Sequence, residues 1–408
     1  MSQNASRGVF EGIKVADFSW VAVGPRTTEY LAEYGATVVR IESATHYDSL
    51  RTADPYRNGE PGINRSGFYA RYNRNKYGAT LNLNHPKGAE VAKSFVKWAD
   101  IVAESFTPGV MKRWGLSYED LIKIKPDIIM MSTSLRGHDG PHANSPGFGI
   151  QLTSLAGFTD LVGWPDRPPV PIYGAYTDAI APRFQIVALI AALNYRRRTG
   201  KGQYVDSSQL ECALQLLTPT ILDHEANQRS WKRMGNRSPY AAPHGAFRCR
   251  GEDRWCVIAV FTDLEWEAFT KALGNPVWAT KPQFATRADR KKNEDELDRL
   301  VEQWTMNFTP EEVMKLMQEA GVSAGIVATG EDIYEDPQLE HREHFTVLTH
   351  PEMGAYPHER SAAILSKSPG KLTMPAPCIG EHNHYVYTEL LGMPEEEYIQ
   401  LLNENVLE

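Results

Sequence analysis

The feature that most narrows the fold is an alternation, through the first third of the chain, of short β-branched runs with helical segments. Residues 13–18 form a short apolar-rich run, Gly24-Pro25 punctuates it, and residues 26–34 have helical texture. After Gly35, residues 36–42 (ATVVRIE) are rich in the β-branched types that suit a strand. The pattern recurs, with 91–98 reading as helix, 101–104 as strand, 118–124 as helix and 128–132 as strand. Such alternation predicts an α/β fold with a mostly parallel, helix-covered sheet, whose ligands sit at the carboxyl ends of the strands.

Further on, residues 184–193 (FQIVALIAAL) are apolar nearly all round, which predicts a buried helix. A second helix is expected over 206–217. Past Asn227 the texture turns basic and Pro/Gly-punctuated, then mixed α and β from 247 to about 328, which predicts a smaller α+β domain. A last helix is expected near 396–403. No internal repeat is present, and 408 residues suffice for two domains with their own cores.

A net charge of −8 argues against a general nucleic-acid binder, because phosphate neutralisation needs a basic face. Cys212, Cys249, Cys256 and Cys378 form no C-x-x-C pair and are too sparse for a disulfide framework, which suits a reducing cytoplasm. The start MSQNASRGVF lacks an apolar signal core, and the longest oily stretch falls short of the roughly 20 residues of a membrane span. Neither G-x-G-x-x-G nor G-x-x-x-x-G-K-[ST] occurs, which disfavours a dinucleotide enzyme or a P-loop hydrolase. The twelve histidines show no zinc spacing, and G-x-S-x-G is absent. No metal and no permanently bound cofactor is expected.

What remains is a series of short polar clusters. They are Val23-Gly-Pro25 with residues 35–42; Asn73-Arg-Asn-Lys76 before Leu81-Asn-Leu83; Glu104-Ser-Phe-Thr-Pro-Gly109 with Arg113-Trp-Gly-Leu116; and Gly140-Pro141 before Pro146-Gly147-Phe148. Residues 174–178, 199–206, Gly235-Asn236 and 320–322 continue the series. In this order, from Gly12 almost to the C-terminus, the chain resembles the class III CoA-transferases and their racemase relatives. The resemblance implies an interlocked dimer, of identical chains or with a related subunit, whose Rossmann-like large domain is built from both chain ends. It divides the chain into 1–225 (large CoA-binding domain), 226–330 (small domain) and 331–408 (return linker and C-terminal part of the large domain). The implied substrates are a CoA thioester and a carboxylic acid, with no nucleic acid or membrane as partner.

The resemblance also assigns residues. Asp178 is the implied nucleophile, and Val21, Ala22 and Val23 lie beside the thioester. Lys76, Arg113 and Arg136 are implied cation contacts to CoA phosphates, while Ser105, Phe106 and Trp114 flank its adenine and pantetheine. On residue type alone other readings stand: a solvated turn for Lys76, surface arginines for Arg113 and Arg136, a core tryptophan for Trp114, and a helix N-cap for Asp178. Two positions depart from the family pattern. Several transferases have a glutamine where this chain has Ala22, and a glycine where it has Pro182. Oxyanion stabilisation must then come from backbone N–H groups or another side chain.

A racemase of 2-methylacyl-CoA would need a second acid/base, and the position matching its histidine is Phe148. A silent partner subunit would lack the aspartate, which is present. Trp20, Phe148 and Tyr176 would suit a bulky or aryl-bearing acid, as in the succinyl-CoA:benzylsuccinate branch. Should Asp178 be excluded, Asp160 and Asp206 are the next candidates.

Overall fold

The computed structural model describes residues 8–408; residues 1–7, part of the stretch read above for an export signal, lie outside the described residues. Six strands, β1 (Lys14–Asp17), β2 (Thr37–Glu42), β3 (Lys76–Thr80), β4 (Ile101–Glu104), β5 (Ile129–Ser134) and β6 (Gln203–Ser208), form one parallel sheet in the order β3-β2-β1-β4-β5-β6. Strand residues alternate between its two faces. Val15, Val38, Ile101, Ala103, Ile129 and Met131 face one way. There they meet Leu31 and Ala32 of α1 (Val23–Glu33). Ala16, Val39, Ile41, Val102 and Met130 face the other, against Phe95 of α2 (Gly88–Trp98) and Leu121 of α3 (Tyr118–Ile124). Burial on both faces is why these strands read as nearly continuous hydrophobic runs.

After α4 (Gly149–Leu155), the long helix α5 (Tyr176–Thr199) covers the first face through Leu189 and Ala192. It begins eight residues before the apolar run that announces it. Its burial also differs from expectation, because the sheet covers only one side of it. Phe184, Val187 and Ile190 form an exposed stripe at spacings of three, 40%, 66% and 45% open. By length and composition α5 would also suit a membrane span, although the apolar run in the sequence looks too short; here it packs against α1 and the sheet.

The helix expected over 206–217 is split. Residues 203–208 instead pair with β5 as the edge strand β6, and α6 (Gln209–Leu214) starts where the Ser208 hydroxyl accepts the Glu211 N–H. Alternating exposure along β6 is the signature of a half-covered edge that the Asp-Ser-Ser polarity disguises.

The chain forms two compact units. The first takes residues up to Phe158, Pro171–Ser230 and His341–Glu408, so both chain ends contribute to it. Its C-terminal part includes the hairpin β10 (Phe345–His350) and β11 (Gly354–Glu359). A last helix, Glu395–Asn403, buries Tyr398 and Leu401 in the core around α2.

The second unit takes Trp231–Glu340 together with Thr159–Val170 from upstream, where the division implied by the resemblance has only 226–330. Gly235 N–H donates to Gly163 O at 2.8 Å and Arg233 pairs with Asp160 at 2.9 Å, which ties the upstream strap in. Three antiparallel strands, β7 (His244–Arg248), β8 (Trp255–Ala259) and β9 (Ser323–Ile326), carry helices with a core of Trp266, Phe269, Leu297, Val301 and Val313.

Candidate functional site

Between β1 and β4 the strand order reverses, and in such a sheet the loops diverge there and leave a crevice at the carboxyl ends. A cavity of about 220 Å³ occupies that position. Trp20 to Val23 line it from the loop after β1, Ser105 to Pro108 from the loop after β4, and Thr133 to Leu135 from the end of β5. The loop before α4 from Ala143 and Ser145 to Gly147, Phe148 and Gly149 at the start of α4, Asp178 and Gln209 complete the wall.

The β1–α1 loop is held from below by buried charge. Lys76 is wholly buried, and its Nζ donates to Asp17 Oδ2 at 3.0 Å, Asn73 Oδ1 at 3.0 Å and Pro25 O at 2.8 Å. Burial alone would raise the Asp17 pKa, but Lys76 and Arg40 outweigh it and hold the carboxylate below its usual range. Asp17 also accepts the Ser19 N–H at 3.0 Å and the Thr28 hydroxyl at 2.6 Å. Beside it, Arg40 pairs with Asp48 at 2.7 Å, and Asp48 Oδ2 accepts the Val21 N–H at 2.9 Å. Val21 needs that hold: it has φ of 65°, an outlier for a β-branched residue. The Trp20 N–H donates to Ser105 Oγ at 2.8 Å, which joins the β1 and β4 loops.

Asp178 lies in the first turn of α5, two residues inside its start, and the N-cap is Ala175. Its carboxylate therefore caps nothing, and its single hydrogen bond is a long one, 3.4 Å, from the adjacent Thr177 hydroxyl. A Cβ on Gly149 would stand 2.3 Å from Asp178 Oδ1, so only glycine permits this approach of α4. Burial pushes the Asp178 carboxyl up to about 6, against a small downward pull from Thr177. The result is a desolvated, weakly bonded carboxylate facing a small cavity, which is the form in which a carboxylate is a useful nucleophile.

Comparison with known proteins decides the family. The CoA-transferase family III profile matches residues 10–383. The chain belongs to that family. It is 30% identical to succinyl-CoA–D-citramalate CoA-transferase of Chloroflexus aurantiacus over 407 residues, all of both chains. Against the succinyl-CoA–L-malate CoA-transferase beta subunit of the same organism the identity is 28%, over 97% of each chain. A CaiB/BaiF family protein from Brucella suis superposes with a TM-score of 0.86 at 30% identity, covering 94% of this chain and all of that one. As a class III CoA-transferase the chain is an enzyme that transfers CoA and uses CoA thioesters as substrates.

Six of the ten residues singled out from the sequence meet in the cavity of this CoA-transferase: Val21, Ala22, Val23, Ser105, Phe106 and Asp178. Trp114 stands behind them, edge-on to Phe106 at 5.4 Å. Arg113 is exposed and Arg136 half-buried, and neither lines the cavity. Lys76 is corrected outright. Its side chain points into the sheet and its three protons are spoken for, so it is a structural cation and not a phosphate ligand. Asp160 pairs with Arg233, and Asp206 accepts the His138 N–H at 3.0 Å. Tyr176 packs on Phe158, off the cavity wall. Gln209, Ser134 and Gly149 were not singled out. Their one sequence signal is position, at the ends of β6 and β5 and in the motif around Phe148.

Two outcomes follow. Lys76→Met leaves Asp17 buried without its cation and should cost about 3–5 kcal/mol in urea unfolding, whereas a surface phosphate ligand would leave stability unchanged. The second concerns Asp178. Its folded pKa lies above the unfolded one, so the folded state is penalised once the group ionises: the penalty is full above about pH 6 and fades as pH falls towards 4. Asp178→Asn should thus stabilise the protein at pH 8, by about 1–3 kcal/mol, and match wild type near pH 4. Equal unfolding curves at pH 8 would contradict this desolvation.

Proposed function

We propose that the enzyme moves CoA from succinyl-CoA to a small dicarboxylic acid, with Asp178 as the covalent carrier. The supporting observation is the Asp178 carboxylate itself, desolvated on Gly149, capping nothing and open to the cavity. Asp178 attacks the donor thioester to form a mixed anhydride and free CoA thiolate. The thiolate attacks the aspartyl carbonyl, releasing the donor acid and leaving aspartyl-CoA. The acceptor carboxylate then attacks aspartyl-CoA, and the thiolate returns to the acceptor acyl group. Water would waste the thioester, and the partial burial of Asp178 limits its access. Arg113 and Arg136, on the loops beyond β4 and β5, are proposed to meet CoA phosphates, with Phe106 and Trp114 near its adenine and pantetheine.

Relatives named for citramalate, malate, mesaconate and glutarate point to a dicarboxylate acceptor. A second reading, an aryl-substituted succinate such as benzylsuccinate, is favoured by Trp20, Phe106 and Phe148 around a cavity whose described lining carries no Lys or Arg. The racemase reading loses ground because Phe148 sits on the cavity wall and no histidine lines it among the described residues. The exposed Phe184-Val187-Ile190 stripe supports an interlocked dimer, and the four free cysteines support a cytoplasmic setting.

The test is a panel of these five acids with succinyl-CoA, assayed across sedimentation fractions. Transfer to at least one dicarboxylate in a dimer-sized fraction is expected, and Asp178→Asn should reduce it by several orders of magnitude. Activity confined to a monomer, or full activity of folded Asp178→Asn, would contradict the reading.

A further inference from the structure

Ala22 leaves the β1-loop wall without an amide side chain, yet an acyl carbonyl attacked in this cavity develops a negative charge that needs hydrogen-bond donors. Most polar groups of the wall are already engaged. Ser105 Oγ is shared with Trp20, the Val21 N–H donates to Asp48, and Thr133 Oγ1 accepts from Gln185. Two are not. Gln209 is 8% exposed, lines the cavity, and its Oε1 has no hydrogen-bond partner. Ser134, equally 8% exposed and on the neighbouring strand, also lines the cavity, and its buried Oγ has no hydrogen-bond partner.

A second buried glutamine shows how unusual this is. Gln185, 1% exposed, accepts from Thr27 at 2.7 Å and donates to Thr133 at 2.7 Å and Ser207 at 3.1 Å. Its amide is a structural fastener between helices and sheet. An amide buried without such partners costs stability, so Gln209 gains nothing for the fold by being polar. Its place is nonetheless tightly set: the Leu210 N–H donates to Leu135 O at 3.0 Å, and Ser208 pairs in register with Ser134.

We propose that Gln209 is a catalytic residue of this transferase, its side-chain amide donating, with the Ser134 hydroxyl beside it, to the acyl oxygen during attack by Asp178. The inference rests on the Asp178 reading. A carboxylate oxygen of Asp178 bonds to the thioester carbonyl carbon, and the C=O pair moves onto oxygen, to which the Gln209 N–H donates. Collapse re-forms the carbonyl as the C–S bond breaks and CoA leaves as thiolate. Asp178 and Gln209 line the same cavity of about 220 Å³, so an acyl group held there has both residues in its wall. The carbonyl of aspartyl-CoA, formed in the same space, draws on the same donors.

The test compares Gln209→Leu, Gln209→Glu and Asp178→Asn with wild type, using succinyl-CoA and the best acceptor of the panel. Gln209→Leu should lower kcat by ~10²–10³-fold with KM for succinyl-CoA changed by less than about threefold. Thermal unfolding should be unchanged or raised, because no internal hydrogen bond is lost. Gln209→Glu, which keeps the size and puts an acceptor where a donor is needed, should be at least as slow. A kcat within about threefold of wild type in either folded variant, or a loss that merely tracks the unfolded fraction, would overturn the proposal. Should Asp178→Asn be inactive while Gln209→Leu is normal, Gln209 alone is removed. An active Asp178→Asn removes the nucleophile as well.

Discussion

A lysine sealed from solvent sets the geometry of the site. Lys76 sits at the start of β3, Asp17 at the end of β1, and their ion pair beneath the β1–α1 loop is wholly buried. Such a pair adds little net stability over an apolar replacement, because desolvating two charges offsets most of their attraction. What it does supply is a fixed set of acceptors. Asp17 and its neighbour Asp48 take the Ser19 and Val21 N–H groups, and Val21 is kept in a backbone conformation that valine avoids. That loop is therefore shaped by charges that do not themselves line the cavity.

Across the cavity the logic reverses. Asp178 lacks the cations that keep Asp17 ionised, and burial raises its pKa to about 6. Near neutral pH it is charged but poorly solvated, and it has one long hydrogen bond. Two carboxylates in one domain are thus set apart by their surroundings: cations hold Asp17 ionised, while Asp178 is desolvated with one long hydrogen bond. Gly149 belongs with Asp178 because it admits the helix close to it, and Ser134 and Gln209 line the same cavity with Oγ and Oε1 unpartnered.

The sheet was legible because strands buried on both faces are written as β-branched runs, and 101–104 and 118–124 coincide with β4 and α3. The β6 edge was not, since Asp206-Ser-Ser looks like a helix start and edge pairing leaves no strong hydrophobic signature. That slip also concealed Gln209, which follows β6 directly. Lys76 was misjudged for a related reason. A donor-rich Asn-Arg-Asn-Lys run suits a solvated or ligand-binding loop, and only the register Val38↔Lys76 reveals that the chain has already entered the sheet. Asp178 was singled out through family resemblance. Its position three residues into α5 could not be read from the sequence, because the apolar run begins six residues after it.

The central claim, that acyl groups pass through the Asp178 carboxylate, leaves an isotopic record. When an acceptor carboxylate carrying two oxygen-18 atoms attacks aspartyl-CoA and then receives CoA, one of its oxygens remains on the aspartate. After a single turnover with labelled acceptor and succinyl-CoA, mass spectrometry of the peptide containing Asp178 should find one oxygen-18 in that side chain. A peptide free of label, from enzyme that has turned over, would contradict the account.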